Sequence, residues 1–301
     1  MPIANSCSYL TSSGFGLELN DLDLADLNDQ TRDILVKAFY QSGGVLLIRN
    51  QQHLTPKQLC DFAALFGVVE KNEKYNPDFL LPDYPEILRL GTLMEEGKRK
   101  ALWIKSDEEL LWHSDDTFRH PQPIGSCLYC LTAPKEGAAT WYAGMNHAYD
   151  ALSDDLKKRI NPLTAVHSYD HLNELLRQTN PHRPPLSEEL KANLPPITRP
   201  LVAEHPVTHN KSIYATNIHI ERINGMDDKQ ARELLEELLS HATKPEFAFA
   251  HAWQPGDLVL WDNRCTMHAP SPFDDNKYER LMYRLTMNGE QIVGAVALNT
   301  A

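Results

Sequence analysis

The chain has few cysteines, no long apolar run and no basic cluster, and each scarcity closes off a class of protein. Five cysteines, Cys7, Cys60, Cys127, Cys130 and Cys265, scattered over 301 residues are too few for a disulfide framework and read as free thiols. Only Cys127 and Cys130 have the C-x-x-C spacing of a redox or zinc motif. The surrounding "IGSCLYCLTAP" reads as a strand, which places the two side chains on opposite faces, and no second pair completes a four-thiolate site. Nowhere do 18 apolar residues run together, and Met1–Tyr9 lacks the basic-then-apolar order of a secretory signal, so a cytoplasmic protein is expected. With a formal charge of −12 and no basic run longer than Lys98–Lys100, nothing offers an electrostatic footprint to a nucleic acid or an anionic membrane. The expected partner is a small molecule, and the expected assembly a homo-oligomer.

An apolar content of 42 % over 301 residues sustains one large core, and no internal repeat or low-complexity tract divides it. Asn28 reads as the cap of a helix to about Tyr40, and "GGVLLIRN" (Gly43–Asn50) as a buried strand. Thr55 and Pro56 open a second helix, with Leu59, Phe62, Ala63 and Phe66 on one face and Gly67 at its stop. From Tyr84 onward, short strands separated by turn residues predict a mainly β sandwich or barrel with flanking helices. Two helices interrupt it, one over "NHAYDALSDDLKKRI" from Asn146 and one over Asp228–Ala242 with its leucines on one side. The polar, proline-rich stretch 171–197 is expected to hold one helical piece within a lid or insertion of a single domain spanning 1–301.

The chemistry concentrates in "LWHSDDTF". His113 and Asp115 are two residues apart, a spacing that in extended backbone turns both side chains to one face. That pattern alone is weak: 13 histidines and 41 acidic residues in 301 produce it about twice by chance. His219 and Glu221 form such a competitor. A second segment, "GDLVLWDNRCTMHAPSPFDDNKYERLMYRLTMNG", adds His268 after a strand and turn. Two histidines and one carboxylate on one side of an ion leave its remaining positions open, as in Fe(II) oxygenases, although zinc hydrolases use the same ligand types. On "RLMYRLTM", alternation places Arg280, Met282 and Arg284 on one face. Guanidinium groups inside a β-fold need anionic partners, either internal carboxylates or an anionic ligand.

With "WHSDDTF", "AP" and "EGAATWY" (Ala133–Tyr142), "YDALSDDLK", "GDLVLWDNRCTMH" and "RLMYR" in this order, the sequence resembles the taurine dioxygenase and aryloxyacetate dioxygenase family from about Gly43 to Gly289. The resemblance implies a double-stranded β-helix, a jelly-roll or cupin-like core with flanking helices. It also implies an Fe(II)-dependent enzyme that consumes O2 and 2-oxoglutarate and releases succinate and CO2. Carried over, His113, Asp115 and His268 are the metal ligands, Thr140 and Arg280 hold the distal carboxylate of 2-oxoglutarate, and Arg284 meets the substrate anion. Tyr75, Trp112 and His219, with Phe118 and Tyr214, are candidate pocket walls. Because Asp115 occupies the carboxylate position, hydroxylation of a small carboxylate or sulfonate is expected rather than halogenation; desaturation or cleavage is the alternative. Two places depart from the family pattern: Ala138-Ala139 precede Thr140 where a glycine-containing pair is usual, and the loop from His268 to Arg280 is about one residue longer. A zinc hydrolase would need a general base that no H-E-x-x-H helix supplies. A non-catalytic metabolite-binding barrel would bind its ligand without the metal residues.

Overall fold

Period-two alternation along apolar strands gives this molecule one sheet that is buried on both faces. In the computed structural model, which describes residues 7–20, 22–102, 111–179, 182–216, 218–292 and 296–297, the main path of that sheet runs Cys7–Tyr9, Leu17–Leu19, Val45–Ile48, Leu258–Asp262, Gly125–Thr132, Leu281–Asn288, Tyr84–Gly91, Leu80–Leu81. All neighbours on this path are antiparallel except Leu17–Leu19 beside Val45–Ile48. Val45, Leu47, Val259, Trp261 and Met282 turn inward, while Leu46, Ile48, Leu258, Leu260 and Leu285 turn outward. Cys127 falls on the outer face and Cys130 on the inner, as the strand reading of C-x-x-C requires.

Two helices cover the outer face. Asp29–Gln41 starts where the Asn28 side chain accepts from Thr31 N–H, and Pro56–Ala63 starts in a capping box between Thr55 and Gln58. Their buried Leu35, Phe39, Leu59 and Phe62 join the outward strand residues in one core. The second helix ends at Ala63, ahead of Gly67, which serves instead as a close approach: a Cβ there would lie 2.5 Å from the Asn288 carbonyl oxygen.

Opposite the inner face stands a smaller sheet of Ala248–His251, Thr140–Gly144 and Thr266–Pro270. Its register pairs Tyr142 with His268 and Thr140 with His251, so these four side chains share the face turned toward the large sheet. Phe15, Tyr142, Trp253 and Trp261 fill the space between. Behind the smaller sheet, Met267 and Ala269 pack against Met145–Asp150 and Asp228–Ala242. The arrangement is an open jelly roll whose strands do not close into a barrel. A further sheet orders Ile220–Ile223, Thr164–His167, Ile197–Pro200 and Val296–Ala297.

Two helical expectations are corrected. "NHAYDALSDDLKKRI" is broken into Met145–Asp150 and Asp154–Ile160, because Ser153 accepts from Leu156 N–H and two aspartates follow it, a start signal placed mid-segment. The stretch 171–197 holds two helices rather than one, Tyr169–Thr179 and Glu188–Asn193, the latter capped by Ser187. Among the described residues no helix is long and apolar enough to cross a membrane.

Candidate active site

His113 and His268 are joined through their backbones. His113 N–H donates to His268 O at 2.9 Å and His268 N–H donates to His113 O at 2.8 Å. This reciprocal pair is a single antiparallel bridge, and it stands the two rings side by side with centroids 4.3 Å apart. Beyond His113 the chain leaves the extended path expected for it and turns, with Asp116 at φ 48°. The turn still brings the Asp115 carboxylate to the rings: Oδ1 lies 3.9 Å from His113 Nε2 and 3.7 Å from His268 Nε2. These separations are too long for hydrogen bonds. They suit three donors that each touch one ion at roughly 2 Å, and among the described residues none of the three atoms has another hydrogen-bond partner. The donor set therefore fits a facially bound Fe(II).

Neighbouring groups fix each ligand. His113 Nδ1–H donates to Leu111 O at 2.8 Å, which leaves the Nε2 lone pair for the metal. The His268 ring packs against Trp261 and Tyr142 at 4.8 and 6.3 Å, and burial, reinforced by His113 and Arg284, lowers its pKa to about 3. Asp115 Oδ2 accepts from Arg284 Nη2 at 2.9 Å and from Ser126 Oγ at 3.2 Å. Burial by itself would raise this carboxyl, but the Arg284 guanidinium and the two imidazoles outweigh it and hold the pKa well below the usual carboxylate range. Asp115 N–H donates to Asn263 Oδ1 at 3.2 Å, an oxygen that Trp261 Nε1–H also holds at 3.0 Å.

Arg280 immediately precedes the strand that carries Arg284, and its placement depends on Gly91. At φ +139°, Gly91 lets the Arg280 carbonyl approach so closely that a Cβ would lie 1.9 Å from it. The Arg280 guanidinium is mostly buried near Cys130 and Tyr142, and burial pulls its pKa down to about 10. Among the described residues no carboxylate lies within ion-pair distance of it. Thr140 Oγ1 accepts from Trp253 Nε1 at 2.9 Å, and the buried Tyr142 hydroxyl lies beside the Thr140 hydroxyl. A cation with no carboxylate partner among the described residues, beside two hydroxyls, fits the carboxylate of a bound acid. Ala138 takes the left-handed φ of 54° that a glycine would adopt, and Thr140 keeps its inward face.

The remaining candidates divide. His219 is buried with its ring edge-on to His113, centroids 6.1 Å apart, and Phe118 packs on it at 5.2 Å. Tyr75 is half-buried within electrostatic range of Arg284. Trp112 is not brought to the metal side: one residue before His113, it faces the opposite way and packs edge-on against Trp141 in the core behind the small sheet. Tyr214 sits a shell further out, its hydroxyl donating to Gln122 Oε1, while Gln122 Nε2–H donates to Asp115 O at 2.9 Å.

A second cluster of ligand-type groups, His205, Asp262 and Cys265, is a closed hydrogen-bond network. Arg264 grips Asp262 through Nε at 2.8 Å and Nη2 at 2.6 Å. His205 Nδ1 accepts from Val207 and Thr208 N–H, so its Nε2–H donates to Asp262 Oδ2 at 3.0 Å. No lone pair of that imidazole is left for an ion.

The family profile "Taurine catabolism dioxygenase TauD, TfdA family" matches residues 7–286. The chain belongs to this family. It is an Fe(II)- and 2-oxoglutarate-dependent dioxygenase. It is 32 % identical to the (S)-phenoxypropionate/alpha-ketoglutarate-dioxygenase of Sphingobium herbicidovorans over 92 % of both chains. With the alpha-ketoglutarate-dependent 2,4-dichlorophenoxyacetate dioxygenase of Cupriavidus pinatubonensis it shares 31 % identity over 95 % of this chain and 98 % of that one. The structure of AAD-2 with Mn(II) and N-oxalylglycine superposes with a TM-score of 0.77 at 30 % identity, covering 95 % of this dioxygenase and 98 % of that chain. Ser126, Asn263, Trp253 and Tyr142 escaped the sequence reading of the dioxygenase. For Ser126 a signal existed, since it alternates with the inward Leu128 and Cys130.

Proposed function

We propose that this dioxygenase hydroxylates a small organic carboxylate or sulfonate whose anion is held by Arg284, with His113, Asp115 and His268 holding the iron. When bound, Fe(II) and 2-oxoglutarate supply the activation of O2, and the cosubstrate leaves as succinate and CO2. Arg280 and Thr140 hold the distal carboxylate of 2-oxoglutarate. Arg284 neutralises the outer oxygen of Asp115, while its buried Nε has no partner and is available to a second anion. His219, ring to ring with His113, and Tyr75, within electrostatic range of Arg284, fix the substrate's orientation relative to the metal. Phe118, packed on His219, keeps that side apolar.

The observation that carries the reading is the pair of inward guanidinium groups along Arg280–Arg284, one without a carboxylate partner among the described residues and one with a nitrogen to spare. The named activities of the relatives, on phenoxypropionate and 2,4-dichlorophenoxyacetate, match that charge. The test is succinate release in the presence of Fe(II), 2-oxoglutarate and O2 across phenoxyalkanoates, alkylsulfonates and their uncharged amides. Stimulation by acids and not by amides is expected, with a product heavier by one oxygen atom. Equal stimulation by the amides would remove Arg284 from substrate binding, and a product lighter by two hydrogens would replace hydroxylation by desaturation.

A further inference from the structure

Behind His219 runs a buried chain of polar groups that the proposed reaction does not use. Thr117 Oγ1 stands 2.9 Å from His219 Nδ1 and 2.8 Å from His167 Nδ1, and all three residues are buried. A threonine hydroxyl has one proton. It donates to one ring at most, and were both rings to donate to it, its own buried proton would have no acceptor, since among the described residues these two rings are its only partners; the two Nδ1 atoms are therefore in opposite protonation states.

Arg199 decides which ring does which. Its guanidinium is fully buried, donating from Nε to Thr117 O and from Nη2 to Arg119 O, both at 2.6 Å. Its Nη1 is buried without a partner, and so is Nε2 of His167. Burial and the nearby Arg199 charge hold the His167 pKa well below its ordinary value, so that ring is neutral. A proton on His167 Nε2 would be an orphaned buried donor on a ring already in the field of the Arg199 cation, whereas a proton on Nδ1 has Thr117 Oγ1 as its acceptor. His167 therefore carries its proton on Nδ1 and donates it to Thr117. Thr117 in turn donates to His219 Nδ1, which leaves the proton of His219 on Nε2, at the ring edge away from Thr117. Among the described residues that Nε2 has no partner.

We propose that Arg199, His167 and Thr117 are positioning residues that lock His219 as a neutral Nε2–H donor, so the pocket requires an acceptor oxygen on the substrate at that point. The same lock keeps a lone pair of His219 away from the metal, whose ligand His113 is its ring neighbour. The substrate half of this inference rests on His219 lining the site; the protonation pattern does not.

The test is two-bond 1H–15N correlation on [15N]histidine-labelled protein holding Zn(II) in place of Fe(II), together with steady-state kinetics. In the unsubstituted enzyme, His219 is expected to be protonated at Nε2 and bare at Nδ1, and His167 the reverse. Thr117→Val removes the hydroxyl and should return His167 to the Nε2–H form. It should raise the KM for the stimulating acid roughly 10- to 100-fold, the value of one charge-assisted hydrogen bond, without moving the KM for 2-oxoglutarate. Thr117→Ser should restore both the spectrum and the KM. A His167 protonated at Nε2, or a His219 bare at Nε2, overturns the lock whatever the enzyme turns over. The expected spectrum with an unchanged KM in Thr117→Val overturns the selectivity claim. Absence of stimulation by any acid would count against the proposed substrate class while leaving the spectrum to judge the lock.

Discussion

Arg280 is the charge proposed to hold the cosubstrate, and replacing it should move stability and cosubstrate binding in opposite directions. Burial lowers its pKa from the ordinary arginine range to about 10, which corresponds to about 3 kcal/mol against folding at neutral pH, where both folded and unfolded states carry the charge. Partial exposure of the side chain screens that penalty, so a gain of about 1–2 kcal/mol is expected when Arg280→Met removes the charge and keeps the aliphatic stem. For a chain of this size that is a rise of roughly 2–3 °C in the melting temperature of the metal-free protein. Binding of 2-oxoglutarate should lose a charge-assisted pair worth about 2–4 kcal/mol, raising its KM roughly 30- to 1000-fold. Thermal melting with and without 2-oxoglutarate, beside succinate production, reads both effects. A metal-free variant that melts well below wild type would mean that Arg280 has a counter-ion within the protein. An unchanged KM would place the cosubstrate elsewhere.

Asp115→Ala should reduce succinate release to background and abolish stoichiometric metal binding. It should also cost about 3 kcal/mol in a denaturant titration, because the buried Arg284 loses its carboxylate partner; full turnover in this variant would eliminate the proposed centre. Metal analysis should find one ion per chain, and Cys265→Ser should leave it at one, since His205 and Asp262 satisfy each other and Arg264; loss of a second equivalent would contradict that closed network. Stability should fall as pH drops below about 6.5, because the unfolded chain protonates His167 while the folded chain, whose His167 pKa is held low, does not. His167→Gln should flatten that slope by up to about 1.4 kcal/mol per pH unit, and an identical slope in urea titrations across pH would show that the buried imidazole is not its source.

The elements of this protein and the faces of its strands were written in the sequence. Thr55-Pro56 and Asp227 start helices through bonds to backbone a few residues away, and the leucines of Asp228–Ala242 repeat at helical spacing. Alternation turned Met282 inward and Cys127 and Cys130 to opposite faces without knowledge of any partner strand. Resemblance to a family supplied the identities of His113, Asp115 and His268. Such signals are legible because each depends on interactions within a turn or a pleat of chain. What only the tertiary structure decided is contact across long separations: the backbone exchange that sets His113 against His268, the pairing of Asp115 with Arg284 and Ser126, and the place of Arg280 beside Cys130 and Tyr142. Trp112 shows the boundary between the two, since its backbone position beside a ligand was plain and its side chain's direction depended on which sheet lay behind it. Register and packing are fixed by partners far along the chain, and no local pattern specifies those.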